Sequence, residues 1–276
     1  MYFFLKQNNH NQKKIEKTFL IWFALVPILC VLLDLFFTTI QPKYGPGKDG
    51  EYTVNFDYAL ISQSLYLSVW SALATSAYGI TNWISINYNN MPKWISGKNN
   101  LTRLVVINIV TFLIYNSQLI ISSVTKNWSG MTGFDTWYNI FKSVFEHVLT
   151  PILVIVFYFI IPKGIVNNKT YFKKYSWFNI LLIGTYTVYI LTRAAMLINY
   201  YPDDREMGAY KPFPYPQIDP YVVGWGVFSV ELIAVVFAPV GLGCGLNYLT
   251  NILYSKQILK IENYNNSKVV NSELEF

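Results

Sequence analysis

Ionisable and hydroxyl side chains lie inside otherwise apolar runs of this chain, where polar groups are costly and often functional. His147 is one of two histidines, the other being His10 near the N-terminus. An imidazole can take and return a proton near neutral pH, as a general base must. Ser62 offers a hydroxyl that such a base could convert into a nucleophile. The sequence therefore predicts a hydrolytic site in which Ser62 is the nucleophile and His147 is the general base.

Three charged residues could support that chemistry, and each also has a structural explanation. Asp34 or Glu231 could orient the imidazole, as the carboxylate of a hydrolytic triad does. Arg193 could balance charge or bind an anionic head group. It could equally form a structural ion pair with either carboxylate, because an intramembrane charge needs a partner in any case.

Other polar side chains in the same apolar runs can be explained by structural roles as well. Ser62 could bond back to a carbonyl of its own helix. Glu146 could pair with Lys142 one turn earlier. Gln63 and Gln118 could form hydrogen bonds between helices.

The elements that must position these residues are six long apolar runs. They cover residues 19–40, 57–78, 103–124, 137–161, 177–199 and 221–245. Each is long enough to cross a hydrocarbon core of about 30 Å at about 1.5 Å per residue. Because 53% of residues are hydrophobic and only 13% are charged, the chain is predicted to be an all-α, polytopic membrane protein with a six-helix transmembrane bundle.

The positive charges predict the orientation of that bundle. With the N-terminus in the cytoplasm, fourteen of the 21 Lys and Arg residues fall in inner segments and five in outer loops, with Lys142 and Arg193 inside helices. This asymmetry follows the positive-inside rule, so both termini are predicted to be cytoplasmic. The formal charge of +6 is thereby explained by topology, and no nucleic-acid partner is predicted.

The polar residues of the spans share a depth in this topology. Asp34, Gln63, His147, Arg193 and Glu231 all fall in the outer half, whereas inner-half positions are almost purely apolar. We therefore expect an outward-facing polar cavity between the helices.

The remaining features set the domain organisation. The expected parts are a cytoplasmic tail at 1–17, a transmembrane domain at 18–255 and a cytoplasmic tail at 256–276. Loop 41–56 is expected to be irregular, and the Pro-rich loop 201–220 to be a rigid connector or a lid. Gly241, Gly243 and Gly245 predict a kink, a close helix contact or the end of the last span.

No cofactor or metal is predicted. One intramembrane histidine is too few for a zinc site, which needs several His, Cys or carboxylate ligands. Cys30 and Cys244 lie in apolar runs and have neither metal-ligand spacing nor a disulfide framework, so they are expected to be buried hydrophobes. The abundance of Asn, Lys, Ile and Tyr indicates a bacterial source, and hence a multi-pass protein of a bacterial plasma membrane.

Three short segments carry a resemblance to a known family. They are the fourth-span stretch His147-Val148-Leu149-Thr150-Pro151, the loop stretch Pro214-Tyr215-Pro216-Gln217-Ile218-Asp219 and Ser62-Gln63-Ser64 in the second span. In these segments the chain resembles the androgen-induced protein and androgen-dependent TFPI-regulating protein family, with its bacterial six-helix relatives. It is also similar to a mycoplasma-type family of membrane proteins that would keep the fold and lose the reaction.

The resemblance implies six spans, cytoplasmic termini and hydrolysis of fatty acid esters by an intramembrane threonine and histidine. Ser62, or neighbouring Ser64, stands where the eukaryotic enzymes have threonine, and Leu65 stands at the family's asparagine position. The leading hypothesis is a lipid-ester hydrolase whose substrate enters from the outer leaflet, with Ser62 and His147 as catalytic residues. The alternatives are a transporter or lipid-binding protein without covalent catalysis, and a structural or assembly subunit.

Overall fold

The computed structural model describes residues 9–40, 56–87, 92–126, 136–161, 163–200, 212–215 and 218–273. Within these residues nearly all of the backbone is helical and no β-strand occurs. The all-α prediction is therefore confirmed for the described part of the chain. Most of the Pro-rich loop 201–220 and nearly all of loop 41–56 lie outside the described residues, as do residues 1–8 of the N-terminal tail.

The described part of the chain contains the following helical elements in order. They are α1 (Asn9–Ile40), α2 (Phe56–Ser64), α3 (Leu67–Asn87), α4 (Lys93–Ser96), α5 (Lys98–Thr125), α6 (Trp137–Val144), a π-helix (Phe145–Leu149), α7 (Thr150–Ile160), α8 (Asn168–Lys174), a 3₁₀ turn (Ser176–Asn179), α9 (Ile180–Tyr200), α10 (Pro220–Val223) and α11 (Trp225–Glu273).

Five helical segments in the described residues are long and apolar enough to span a membrane. They are Gln12–Ile40, Trp94–Val124, Trp137–Ile160, Ser176–Tyr200 and Trp225–Lys256. Their outer faces present large apolar side chains such as Leu29, Phe36 and Ile120, which is the surface that lipid tails cover. A multi-pass membrane protein is thus the class that this fold defines. The second predicted run is different, because it is divided between α2 and α3.

Contacts between the helices distinguish two ends of the bundle. At the near end, beside the start of α1, Lys163 pairs with Glu16 and Lys98 bonds to Asn251. At the far end, beside the end of α1, Phe37 stacks on Tyr138 with ring centroids 4.4 Å apart. The chain therefore passes back and forth between the two ends.

Helix α3 lies tightly against α1 because of one glycine. A Cβ atom added at Gly79 would come within 2.6 Å of the Phe23 carbonyl carbon and would also collide with the backbone of Ala24. Close backbone approach at small residues is the usual way in which membrane helices pack. The core beside this crossing is apolar, with Leu20, Phe23 and Phe157 fully buried.

The near half of the bundle is more polar than the sequence suggested. Asn108 donates to the Thr75 hydroxyl at 3.1 Å, and the hydroxyls of Thr102 and Tyr158 lie 3.0 Å apart. The expectation of an almost purely apolar inner half is therefore wrong. These polar side chains bond to each other between helices, which removes the cost of burying them.

The glycines of the last span do not end its helix, since α11 runs on to Glu273. Gly243 instead provides a close helix contact, one of the three predicted possibilities. A Cβ atom there would collide with the Asn179 amide and would lie 2.8 Å from the Tyr171 hydroxyl oxygen. Gly241 and Gly245 have open space around them.

Candidate functional site

A buried ion pair joins the first and fourth spans in the far half of the bundle. Lys142 of α6 donates to Asp34 Oδ2 of α1. The same carboxylate accepts a hydrogen bond from Gln63 Nε2 at 2.5 Å and one from the Thr38 hydroxyl at 3.2 Å. Lys142 Nζ also lies 3.4 Å from Gln63 Oε1. Three separate helices thus meet at Asp34.

Glu146 adds a second carboxylate to this group. Its nearest carboxylate oxygen lies 3.9 Å from Lys142 Nζ, one helical turn away, which is too long for a hydrogen bond. Only 2% of its side chain is exposed. Its oxygens have no hydrogen-bond partner within 3.5 Å among the described residues, and the Ser68 hydroxyl is a nearby polar group that interacts with the carboxylate. We call Asp34, Gln63, Lys142 and Glu146 the charge group. It holds two carboxyls and one ammonium away from water.

The backbone beside the charge group is irregular in two helices. The second predicted span breaks after Ser64, and i→i+3 hydrogen bonds from Leu65 and Tyr66 replace the helical pattern before α3 begins. In the fourth span, Phe145–Leu149 forms a π-helix that contains Glu146 and His147. A π-helix inside a span is uncommon and occurs frequently at functional sites.

Aromatic side chains satisfy the backbone groups that the α2–α3 break leaves open. Trp70 Nε1 donates to the Ser64 carbonyl at 2.9 Å, and the Tyr186 hydroxyl donates to the Leu65 carbonyl at 2.7 Å. The Leu67 amide donates to the Tyr215 hydroxyl at 3.3 Å. Burial raises the pKa of Tyr215, so this hydroxyl stays neutral. The break is therefore a stabilised part of the fold rather than a frayed helix end.

Tyr66 lies between the charge group and this aromatic cluster. Lys142 Nζ is 6.0 Å from the centroid of the Tyr66 ring, at the limit of a cation–π contact. Tyr66 also packs edge-on against Tyr215, with centroids 6.2 Å apart. The charge group and the break therefore form one continuous region.

The predicted catalytic residues flank the charge group. Ser62 precedes Gln63 and is half-buried, and His147 follows Glu146. The His147 ring stacks on Tyr115 with centroids 3.8 Å apart, and its Nδ1 is buried without a hydrogen-bond partner among the described residues. In the described part of the chain no hydrogen bond joins Ser62 to His147, so their catalytic roles stay a prediction.

The three supporting residues lie in different surroundings. Asp34 belongs to the charge group, where its partner is Lys142. Arg193 of α9 donates to the Pro212 carbonyl at 3.3 Å, beside the loop that precedes the last span. Glu231 lies less than two turns from the start of α11 and is half-buried.

The sequence indicated some members of the charge group and missed the role of Lys142. Asp34 and Gln63 were predicted to share a depth, and an interhelical hydrogen bond was one interpretation of Gln63; both are confirmed. Lys142 was considered only as a local partner of Glu146. A lysine inside an apolar span requires a counter-charge, and that signal could have directed attention to Asp34.

We searched the described residues for side chains that could bind a metal ion. In the described ranges, no three His, Cys, Asp or Glu side chains are grouped so that they could hold a metal ion. Cys30 and Cys244 are both free thiols.

Fold and site together define a multi-pass helical membrane protein with charged side chains buried between its spans. Comparison with protein-family models, with curated proteins and with solved structures finds no match to the chain. The charge group and the three short sequence segments are therefore the features that bear on its activity.

Proposed function

We propose that this protein is a six-span transporter with cytoplasmic termini in a bacterial plasma membrane, and that a coupling cation binds at the charge group. The observation that carries this proposal is the excess carboxyl. Asp34 and Lys142 neutralise each other, whereas Glu146 lies 3.9 Å from the shared ammonium without a hydrogen bond. We therefore favour a transporter without covalent catalysis over the lipid-ester hydrolase.

Charge balance gives the physical reason. With all three groups ionised, the charge group carries one net negative charge in a region of low dielectric. Burying an uncompensated ion costs several kcal/mol, so a proton or a small cation has to accompany Glu146. Ionisable residues that face each other inside a bundle are typical of ion and proton pathways.

The irregular backbone supports the same proposal. Transporter sites are commonly built at discontinuous helices near the middle of the membrane. Non-helical backbone at that depth is tolerated where protein surrounds it or where it lines a cavity. The α2–α3 break follows Gln63 by two residues, and the π-helix contains Glu146.

The proposal is tested first on cation binding by the reconstituted protein. Infrared difference spectra between acidic and alkaline buffer should contain a carboxyl C=O band that is lost in Glu146→Gln. Glu231→Gln is the matched control, because it makes the same change outside the charge group. If sodium titration removes the band at constant pH, the cation exchanges with sodium. A band that survives in Glu146→Gln would contradict the proposal.

Transport is then measured in liposomes that contain a trapped pH indicator and carry an inside-negative potassium diffusion potential. Wild type and Glu231→Gln should acidify the interior faster than protein-free liposomes, and Glu146→Gln should not. Radioactive sodium replaces the indicator if sodium is the bound cation. Equal rates in all preparations would count against a transporter.

A second candidate is the lipid-ester hydrolase that the family resemblance implies, with membrane lipid or a lipid-like molecule as substrate. The observation in its favour is that His147 Nδ1 is buried without a hydrogen-bond partner among the described residues. This nitrogen could accept the proton of a side-chain hydroxyl as that hydroxyl attacks the ester. Ser62 would be that nucleophile, Asp34 or Glu231 would steady the imidazole, and Arg193 would bind an anionic head group.

A fluorophosphonate probe separates the two candidates. In a hydrolase the purified protein is labelled, and labelling is lost in both Ser62→Ala and His147→Ala. Ser64→Ala tests the alternative nucleophile, and it should retain labelling if Ser62 is the nucleophile. Labelling that persists unchanged in both variants would exclude Ser62 and His147 as the catalytic pair.

A further inference from the structure

A second polar site lies at the near end of the bundle, away from the charge group. The start of α5, the end of α7 and the middle of α11 enclose a cleft there. Its polar lining consists of Lys98, Tyr158, Lys163, Thr250 and Tyr254. Neither the proposed transport nor the proposed hydrolysis uses these side chains, so the cleft needs a separate explanation.

Lys98 is a buried cation that has no counter-ion in the described part of the chain. Only 6% of the residue is exposed. Its Nζ donates to the neutral Asn251 Oδ1 at 2.7 Å, and no described residue forms an ion pair with it. An ammonium has three donors, so this contact leaves capacity for an anion. Lys98 is also the first residue of α5, where the partial positive charge of the helix N-terminus adds to its own.

The other lysine of the cleft sets the charge that a ligand must have. Lys163 forms an ion pair with Glu16 of α1, and that pair is neutral overall. Lys98 therefore leaves the cleft with a single unbalanced positive charge. A phosphodiester, which carries one negative charge, complements it. The Tyr158 and Thr250 hydroxyls lie 3.4 Å apart in the same lining. Because they already donate to Thr102 and to the Leu246 carbonyl, the lysines supply the donors for a phosphate.

Apolar side chains complete the cleft. Leu101, Phe159 and Leu253 line it beside the lysines, and 40% of Leu253 is exposed on the bundle surface. A free phosphate ion would leave these side chains without a partner, whereas a lipid would place an acyl chain on them. Basic pockets between spans on the cytoplasmic side are known binding places for anionic head groups.

We propose that this cleft binds an anionic phospholipid of the leaflet at the near end, with its phosphate between Lys98 and Lys163 and an acyl chain along Leu101, Phe159 and Leu253. The inference is independent of the charge group, because the two sites share no residue.

The test measures lipid binding by the purified full-length protein in detergent. Native mass spectrometry counts bound lipid, and thermal unfolding is followed with phosphatidylglycerol, phosphatidylcholine or inorganic phosphate. Phosphatidylglycerol should bind in preference to phosphatidylcholine and should raise Tm, and inorganic phosphate alone should not. Lys98→Gln should weaken phosphatidylglycerol binding about fivefold, the factor for one lysine near a lipid surface. Lys173→Gln, which removes an exposed lysine of α8, is the matched control and should leave binding unchanged.

Lys163→Gln provides a second route if Lys98→Gln does not fold. It should also weaken binding, since Lys163 contacts the same phosphate. Equal binding of the two lipids, full binding in Lys163→Gln or Lys98→Gln, or a Tm increase reproduced by inorganic phosphate would each overturn the proposal.

Discussion

At the scale of single residues, the Asp34–Lys142 ion pair ties two spans together and predicts strong coupling between the two side chains. Lys142→Met alone should destabilise the protein by about 3–5 kcal/mol, because it leaves Asp34 buried without a cation. Asp34→Asn should cost less, because Glu146 still lies 3.9 Å from the Lys142 ammonium and balances its charge. The double variant should lose much less than the sum of the two. Denaturant unfolding in detergent micelles measures all three free energies.

Lys173→Met is the control for the loss of a lysine, because Lys173 is exposed, and it should change the unfolding free energy little. Losses that simply add in the double variant would mean that the pair contributes no coupling energy. The ion pair would then not hold the first and fourth spans together.

The same pair marks what the sequence could and could not predict at this scale. The depth of Asp34 and Gln63 follows from counting residues along apolar runs. Their partner Lys142 lies 108 positions beyond Asp34, and helix periodicity relates a residue only to its neighbours three or four positions away. Glu146 was therefore visible as a partner of Lys142, whereas Asp34 depended on which helices pack side by side.

At the scale of elements, the crossing of α1 and α3 depends on Gly79. Gly79→Ala should destabilise the protein by at least about 1–3 kcal/mol, because the added methyl group meets the α1 backbone, which cannot move aside as a flexible side chain would. Gly241→Ala is the matched control. It lies in open space in α11 and should be neutral or stabilising by up to about 1 kcal/mol, since alanine favours helix more than glycine does. Thermal unfolding of the two variants compares them directly, and equal stability would contradict the close crossing.

The positions of the long helices could be predicted from the sequence, whereas the break between α2 and α3 could not. Apolar runs of more than twenty residues give long helices because lipid leaves the backbone no other partner. Leu65 and Tyr66 continue such a run, and neither is a glycine or a proline. The break between α2 and α3 is stabilised by Trp70, Tyr186 and Tyr215, two of which lie more than 100 positions further along the chain. A local pattern contains no information about such distant donors and acceptors.

At the scale of the whole molecule, the number of crossings decides on which side the termini lie. Five spanning segments alone would place the two ends of the chain on opposite sides of the membrane. Helix α3, however, runs alongside α1 with Gly79 against Ala24. Its 21 residues cover about 31 Å at 1.5 Å per residue. We therefore expect the α2–α3 pair to return the chain to the near end before α5 begins, as the sixth crossing of the proposed six-span topology.

Single cysteines test this count in a variant without Cys30 and Cys244. Lys13→Cys and Lys256→Cys should both be protected from a membrane-impermeant maleimide in intact cells, and Lys126→Cys at the far end of α5 should be labelled. All three side chains are exposed on the protein, so protection reports the membrane rather than burial. Labelling of only one of the two near-end positions would mean an odd number of crossings. Labelling of both with protection of Lys126→Cys would invert the bundle, so that the charge group would lie in the inner leaflet and the Lys98 cleft in the outer leaflet, against the distribution of positive charge.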